Sequence, residues 1–600
     1  MQHKKKDCIR APWLAASLRS LVLQHADDIE VLAVEHSRVS ARSRWLILLA
    51  LGFGFLLVVP WLQRALWLTP CPGRIGGDCA GQWDDLRWIF AIETALCIGV
   101  TMAGAAVSRV GELDRTTAGI VAYIARRTNW CAAVVVVAAI LLPLPVVYFV
   151  LDRFPNSGDE FAYLFQARTL AGLRLWEAAP ALGTDLIPFR TWIFESKWVS
   201  QYPPGWPMLL STGLLLGLPA WMVNAVLGGG CVAVLAAICR RVGDRSAAIV
   251  AVAIFALTPF YVMNAASYFP HVFSSLLILS FCFCLLPDGG IVRGHKLVAV
   301  GAIVGLLAMT RYFDVLPLLP AMLLWLARQR RSAWPRIIAL LAAGFVPILT
   351  LLMIYQYLIT GSPFRSAYFV INTPEVSEIL VGLDPLRIIN GVVVTAGRLV
   401  EFALWTSPIL LIAYFCCLVL KLRDRKLAYY DLIFPAFVLA YVAFADLGGN
   451  RYGPRYYFEA FPLMMVTIVS AVPSVTARLE RPMDRAMLPF ASIVCLLYFV
   501  GTWPLVLTAF QHQVFSRQEP FRLVQQAVTG NAIVVLDTSS GPGLHDWDLV
   551  RNPPAMDAAV LYARSGSDIA ALRKAFPERP IWRYSRRDPM QPGQLLPVTP

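Results

Sequence analysis

Charge is what this sequence lacks. Only 15% of its 600 residues are charged and 58% are hydrophobic, where an ordinary soluble domain has roughly a quarter charged. A chain this long and this poor in charge cannot divide into several domains with polar surfaces. Alternation is missing as well. The apolar runs are continuous, which excludes a β-barrel, whose strands alternate between lipid and lumen. No phosphate-cradling glycine loop, dinucleotide fingerprint or zinc-ligand spacing occurs, and no internal repeat is evident. The 12 cysteines are scattered. Most, such as Cys231, Cys282 and Cys495, lie in apolar segments, where the thiol behaves as a small hydrophobe. They make no disulfide scaffold. Only Cys71 and Cys79, in a short polar loop, could form a local disulfide, if that loop faces an oxidising compartment.

What is present is a succession of apolar segments long enough to span a membrane. Helix is their form, because a helix satisfies its own backbone in hydrocarbon. The fold class is therefore an all-α polytopic membrane protein. Residues 1–44 are polar and basic, too long and too charged for a cleavable signal peptide, and read as a cytoplasmic tail. Spans are expected near 45–66, 86–108, 130–151, 222–239, 246–262, 271–286, 296–310, 312–327, 336–358, 398–421, 429–446, 456–475 and 487–508, about thirteen of them. Most of the net charge of +14 sits in short loops between spans, as at Arg240, Arg241 and Arg245, which is a topology signal and no sign of nucleic acid. An odd count puts the N-terminus inside and the C-terminus outside.

The apolar stretch 206–219 follows Pro203 and Pro204 and ends at Gly217 and Pro219. Counted as a span it would invert every later loop against the charge rule, so it reads as an interfacial helix. Segments 152–205, 361–397 and 509–600 then face outward. The last has soluble character: a helix near 520–529, strands at 532–537, 558–562 and 580–584, and a helix at 567–576, together a small α/β domain.

Candidate chemistry begins in the first of these segments. Asp159 and Glu160 open a helix that should lie along the membrane surface, since it is short and carries Arg168 and Arg174. Two readings stand side by side. The carboxylates could simply cap the helix with Ser157, or one could serve as a general base. The loop returns to the membrane through Tyr202-Pro203-Pro204-Gly205. Arginines stand at span ends in Thr310-Arg311-Tyr312 and in Arg451-Tyr452-Gly453-Pro454-Arg455-Tyr456, where each either holds an anion or is merely solvated. His271 opens another span. Trp192, Trp198, Trp206 and Trp221 line a groove or belong to the interfacial belt. His545-Asp546-Trp547-Asp548 and Arg564 in the tail read as loop residues of a domain that binds acceptor or shapes the site's mouth.

The Asp159-Glu160 helix start with Tyr163, followed by Tyr202-Pro203-Pro204-Gly205, resembles the first-loop pattern of the GT-C superfamily of membrane glycosyltransferases. The likeness is to the branch of protein O-mannosyltransferases and the lipid A aminoarabinose transferase. It continues at Thr310-Arg311 and at Gly453-Pro454-Arg455-Tyr456-Tyr457 and covers roughly 130–510. The resemblance implies a core of eleven spans from 130 to 508, with 45–129 as two added N-terminal spans and 509–600 as an appendage.

It further implies a sugar donor on a polyprenyl phosphate, a glycan, lipid or protein acceptor, and an active site in loop 152–205 on the outer side of a bacterial inner membrane. Asp159 matches the family's catalytic base, with Glu160 its neighbour. Arg311, Arg455 and Arg451 are the phosphate-binding candidates, and Tyr163, Tyr202, His271 and Tyr456 the substrate-binding ones. No cofactor is firmly implied. A divalent metal stays open, with Glu160 and His271 as its ligands, although relatives have an acidic residue where His271 stands. A flippase or polymerase of lipid-linked saccharide is the alternative. Transporters usually show repeated halves and mid-membrane ionisable groups, whereas here the polar residues gather at one face.

Overall fold

The computed structural model describes residues 111–287, 292–371, 385–442, 451–478, 487–538, 546–586 and 592–598. The tail 1–44, the first two expected spans, Cys71, Cys79 and His545 lie outside the described residues. Among the described residues, Thr128–Val150, Ala220–Val242 and Arg331–Thr360 are long and apolar enough to cross a membrane. Two bent pairs raise the number to five; the count of about thirteen remains an expectation from hydropathy.

Burial separates these helices. Only 22% of the apolar window of Thr128–Val150 and 17% of that of Arg331–Thr360 are buried, against 61% for Ala220–Val242. Val134, Val137, Val346, Leu351 and Ile354 are exposed along the first two. Apolar side chains in such rows are at home only against hydrocarbon. Ala220–Val242 is the central helix, and the core around it takes in Val232, Leu235, Phe255, Phe260, Phe281 and Phe461.

Two of the expected spans are broken, each at a proline. The segment expected at 398–421 is two helices, Gly391–Thr406 and Pro408–Arg423, meeting at 114°. Ser407 sits between them with φ 96, and Pro408 has no N–H with which to continue the helix. The segment expected at 246–262 bends by 61° between Arg245–Leu257 and Pro259–Ala265, and Thr258 caps the second piece by accepting from the Tyr261 amide at 3.1 Å. At 456–475 the helix begins only at Phe461. At 487–508 it does not stop: Met487–Ala527 is one helix that absorbs the one expected at 520–529.

Segment 152–205 holds the helix Gly158–Ala171 and a small antiparallel sheet. Strand β1 (Glu177–Ala178) pairs with β3 (Lys197–Ser200), which pairs with β2 (Thr191–Phe194). Gln166 welds the sheet to the helix, donating to the Leu175 carbonyl at 2.9 Å and accepting from the Ser200 amide at 3.0 Å. The stretch after the prolines is the helix Gly205–Leu215. Its Trp206 is buried and donates to the Tyr268 carbonyl at 2.8 Å.

The tail forms a second sheet in the order β5-β4-β6-β7, from β4 (Ala532–Asp537), β5 (Val560–Ala563), β6 (Ile581–Ser585) and β7 (Gln594–Pro597). Strand β4 is parallel to β5 and β6, and β7 is antiparallel to β6. Strand β4 is central and β-branched (Ile533, Val534, Val535), as a strand covered on both faces should be. Asp568 caps the helix Ile569–Ala575 through the Ala570 amide at 2.8 Å. Strand β7 was not expected, since Gln594–Pro597 has no alternating pattern. Leu186 from segment 152–205 is buried among Ile533, Val535, Leu561 and Ile581, so the tail and that segment share a core.

Candidate active site

The helix Gly158–Ala171 starts as the sequence indicates, with Ser157 as its cap. Ser157 Oγ caps the helix by accepting from the Glu160 amide at 3.2 Å and donates to Glu160 Oε2 at 3.1 Å. Glu160 Oε1 accepts from the Tyr268 amide at 2.9 Å, and the Tyr452 hydroxyl lies 3.4 Å from both carboxylate oxygens. The carboxyl is fully buried, and that burial raises its pKa above the ordinary 4.5, against the lowering effect of the Tyr268 amide and Arg451. Glu160 therefore ties the helix start to the turn before His271.

One residue earlier the side chain points elsewhere. Asp159 Oδ1 accepts from the Tyr202 hydroxyl at 2.5 Å and lies 3.5 Å from Arg190 Nε; its Oδ2 is 3.3 Å from Arg455. Its side chain is 19% exposed, while that of Glu160 is sealed. Burial and the Asp159 charge push the Tyr202 phenol well above its ordinary range, so it stays a donor. Tyr202 stacks on Tyr163 with ring centroids 4.3 Å apart. Gly158 must be glycine here: a Cβ would fall 2.5 Å from Asp548 Oδ1 and 2.6 Å from the Phe189 ring.

Tyr456 is the second focus. The guanidinium groups of Arg311, Arg398 and Arg455 lie 5.8, 5.5 and 5.6 Å from its ring centroid, a cation–π arrangement. Arg455 also lies 4.1 Å over Phe269. Tyr441 stacks on Tyr456 at 4.7 Å and accepts from Arg311 at 3.1 Å. Arg311 Nε is 2.9 Å from Asp314 and 3.4 Å from Glu459, and Glu459 is 2.5 Å from His271 Nδ1.

Thus Asp159, Tyr163, Tyr202, Arg455, Tyr456, Arg311 and His271, far apart in sequence, are linked by direct contacts into one cluster. Arg451 enters differently: its charge acts on Glu160 and on Arg517. Of the two residues expected as metal ligands, Glu160 is bonded to Ser157 and Tyr268, with the Tyr452 hydroxyl 3.4 Å away, and His271 to Glu459. Among the described residues no group of three or more His, Cys, Asp or Glu could hold a metal.

Two participants escaped the sequence reading. Glu459 stands in an aromatic run, where a buried carboxylate calls for a partner. Arg190 has no local mark in Pro188-Phe189-Arg190-Thr191; its distinguishing feature is a φ of 66, uncommon for a residue with a Cβ and frequent at functional sites.

No family model matches the sequence, and no curated protein matches it. Among solved structures, ArnT from Cupriavidus metallidurans bound to undecaprenyl phosphate aligns with a TM-score of 0.47 and 14% identity over 77% of this chain and 97% of that one. Its apo form aligns with a TM-score of 0.43 and 15% identity over 76% and 93%. The archaeal oligosaccharyltransferase AglB from Archaeoglobus fulgidus, in complex with an inhibitory peptide and a dolichol-phosphate, aligns with a TM-score of 0.44 and 11% identity over 76% and 70%. ArnT and AglB are GT-C glycosyltransferases, and the chain is similar to them at low identity.

Proposed function

We propose that this protein is an integral-membrane glycosyltransferase that moves a sugar from a polyprenyl-phosphate donor to an acceptor hydroxyl at the extracytoplasmic face of a bacterial inner membrane. Asp159 is the general base. As the acceptor oxygen forms its bond to the anomeric carbon, its proton passes to Asp159. The bond from that carbon to the phosphate oxygen breaks, and polyprenyl phosphate leaves with the electron pair. Arg455 and Arg311 neutralise the departing phosphate, a task suited to the guanidinium fork. Tyr202 holds one oxygen of Asp159 and orients the other. Tyr163, His271 and Tyr456 line the substrate space. Arg451 steadies Glu160, and Glu160 positions the helix that carries the base.

The observation that carries this reading is the setting of Asp159: a partly exposed carboxylate gripped by a phenol and two guanidinium groups, Arg190 and Arg455, from remote parts of the chain. Partly solvated ionisable clusters of this kind are typical of reaction centres. The polar cluster at one end of the helices favours an enzyme over a flippase. Mass spectrometry of envelope glycolipids and glycans, in cells with and without the gene, tests it. A sugar increment disappears on deletion, returns with the wild type, and stays absent with Asp159→Asn present in membranes at normal level. Full restoration by Asp159→Asn refutes the base.

A further inference from the structure

Residues 546–564 of the tail make two fastenings that bracket the Asp159–Arg190 pair. The first holds the start of the helix Gly158–Ala171. The Arg551 guanidinium donates to the Pro155 carbonyl at 3.0 Å and lies 3.5 Å over the Phe154 ring and 4.9 Å over the Phe161 ring. Asp548, itself 3.2 Å from Arg517, is pressed against Gly158, where a Cβ would fall 2.5 Å from its Oδ1 and push it aside.

The second fastening holds the loop that leads to Arg190. Asn552, 1% exposed, uses its whole side chain: Nδ2 donates to the Leu186 and Tyr562 carbonyls, both at 2.7 Å, and Oδ1 accepts from the Tyr562 amide at 2.8 Å. The Arg564 amide donates to the Asp185 carbonyl at 2.9 Å, and its guanidinium to the Ile187 carbonyl at 3.2 Å. Leu186 is sealed in the tail's core. Arg190 follows shortly after, in a backbone conformation its side chain disfavours. Its far side is held by the Gln201 amide, which donates to the Arg190 carbonyl at 3.0 Å. A disfavoured conformation persists only where its surroundings over-determine it.

We infer that the tail is a clamp that sets the Asp159–Arg190 geometry, with Asn552 as a positioning residue acting through Arg190. The inference rests on Asp159 being the base, but its first test does not. On the full chain in lipid nanodiscs, Asn552→Ala raises amide hydrogen exchange across residues 184–191 about tenfold and leaves the helix Ala220–Val242 unchanged. In cells the same variant restores about tenfold less of the sugar increment, and adding it to Arg190→Ala lowers the signal no further, because both changes remove one shared contact.

Unchanged exchange at 184–191, or losses that multiply in the double variant, overturn the clamp. If Asn552→Ala does not reach the membrane, Arg564→Ala serves. It removes the side-chain bond to Ile187, keeps the backbone bond to Asp185, and raises the same exchange about threefold; no change there overturns the clamp equally. Restoration of the sugar increment by Asp159→Asn beside raised exchange in Asn552→Ala overturns the base and spares the clamp.

Discussion

Two ion-pair clusters in this protein, one sealed and one partly open, look alike as residue lists and differ in how they close. Lys421 reaches Asp431 at 2.6 and 2.7 Å and the Ser470 hydroxyl at 2.7 Å, and Asp431 also accepts from the Ala428 amide at 2.6 Å. Asp431 is fully buried. The charges are spent on each other, as a structural ion pair must be if it is to offset its desolvation. At Asp159 only the Tyr202 contact is short. The guanidinium groups stand off at 3.3 and 3.5 Å, and Arg455 Nε is buried without a hydrogen-bond partner. Glu459 Oε2, His271 Nε2 and Asp314 Oδ1 are in the same condition. Hydrogen-bonding atoms left over in this way fit the proposal that sugar donor and acceptor bind here.

The sharpest way to break this contrast is to neutralise one carboxylate in each cluster. Asp159→Asn is nearly isosteric and should lower transfer by about a hundredfold to ten-thousandfold, the usual worth of a positioned base, with thermal stability in detergent almost unchanged. Lys421→Met should do the reverse. Stranding the Asp431 charge costs about 3–5 kcal/mol, read as a lower midpoint of thermal unfolding and less protein in the membrane, while transfer per folded molecule holds. Lys421→Met combined with Asp431→Leu should recover much of that stability, because it removes both charges from the interior. If Asp159→Asn unfolds the protein and Lys421→Met silences it, the assignment of the two clusters is reversed.

A smaller effect separates charge from geometry at the open cluster. Arg455→Lys keeps the cation but loses the planar fork and the stacking over Phe269 and Tyr456. Transfer should fall about tenfold, with the loss seen in apparent donor affinity when donor is titrated. An unchanged dependence on donor would move the phosphate away from Arg455.

How much of this was legible in the sequence follows from what each signal can carry. The helix start at Ser157-Gly158-Asp159-Glu160 is local chemistry, and it could be read. Which of two adjacent carboxylates faces the cluster is not local. Successive residues on a helix diverge by about 100°, and the direction is set by Tyr268, Tyr452, Arg190 and Arg455, none of them near in sequence. The bend within the expected span 398–421 went unread because hydropathy registers length and not the break at Ser407-Pro408, although Pro408 was there to see. Strand β4 was readable from its β-branched run, and β5 and β6 from short apolar, tyrosine-bearing stretches, whereas β7 is recruited by its neighbour and has no pattern of its own. Arg190 was invisible because its place depends on a loop pinned to the tail.

The smallest predicted effect concerns Glu160, which neighbours Asp159 yet is enclosed like Asp431. Burial raises its carboxyl above 4.5, so the folded chain holds that proton more tightly than the unfolded chain does. A carboxyl shifted in this direction makes the fold more stable in acid, and the contribution declines as pH climbs above its unfolded value. Glu160→Gln keeps an oxygen for the Tyr268 amide and abolishes the titration. The midpoint of thermal unfolding, followed from about pH 5 to about pH 7, should fall less steeply in the variant than in the wild type, and transfer should drop far less than in Asp159→Asn. Equal slopes in the two proteins would mean that Glu160 stays ionised across the range. It would then belong with the charged cluster beside it and not with the enclosed pair at Lys421.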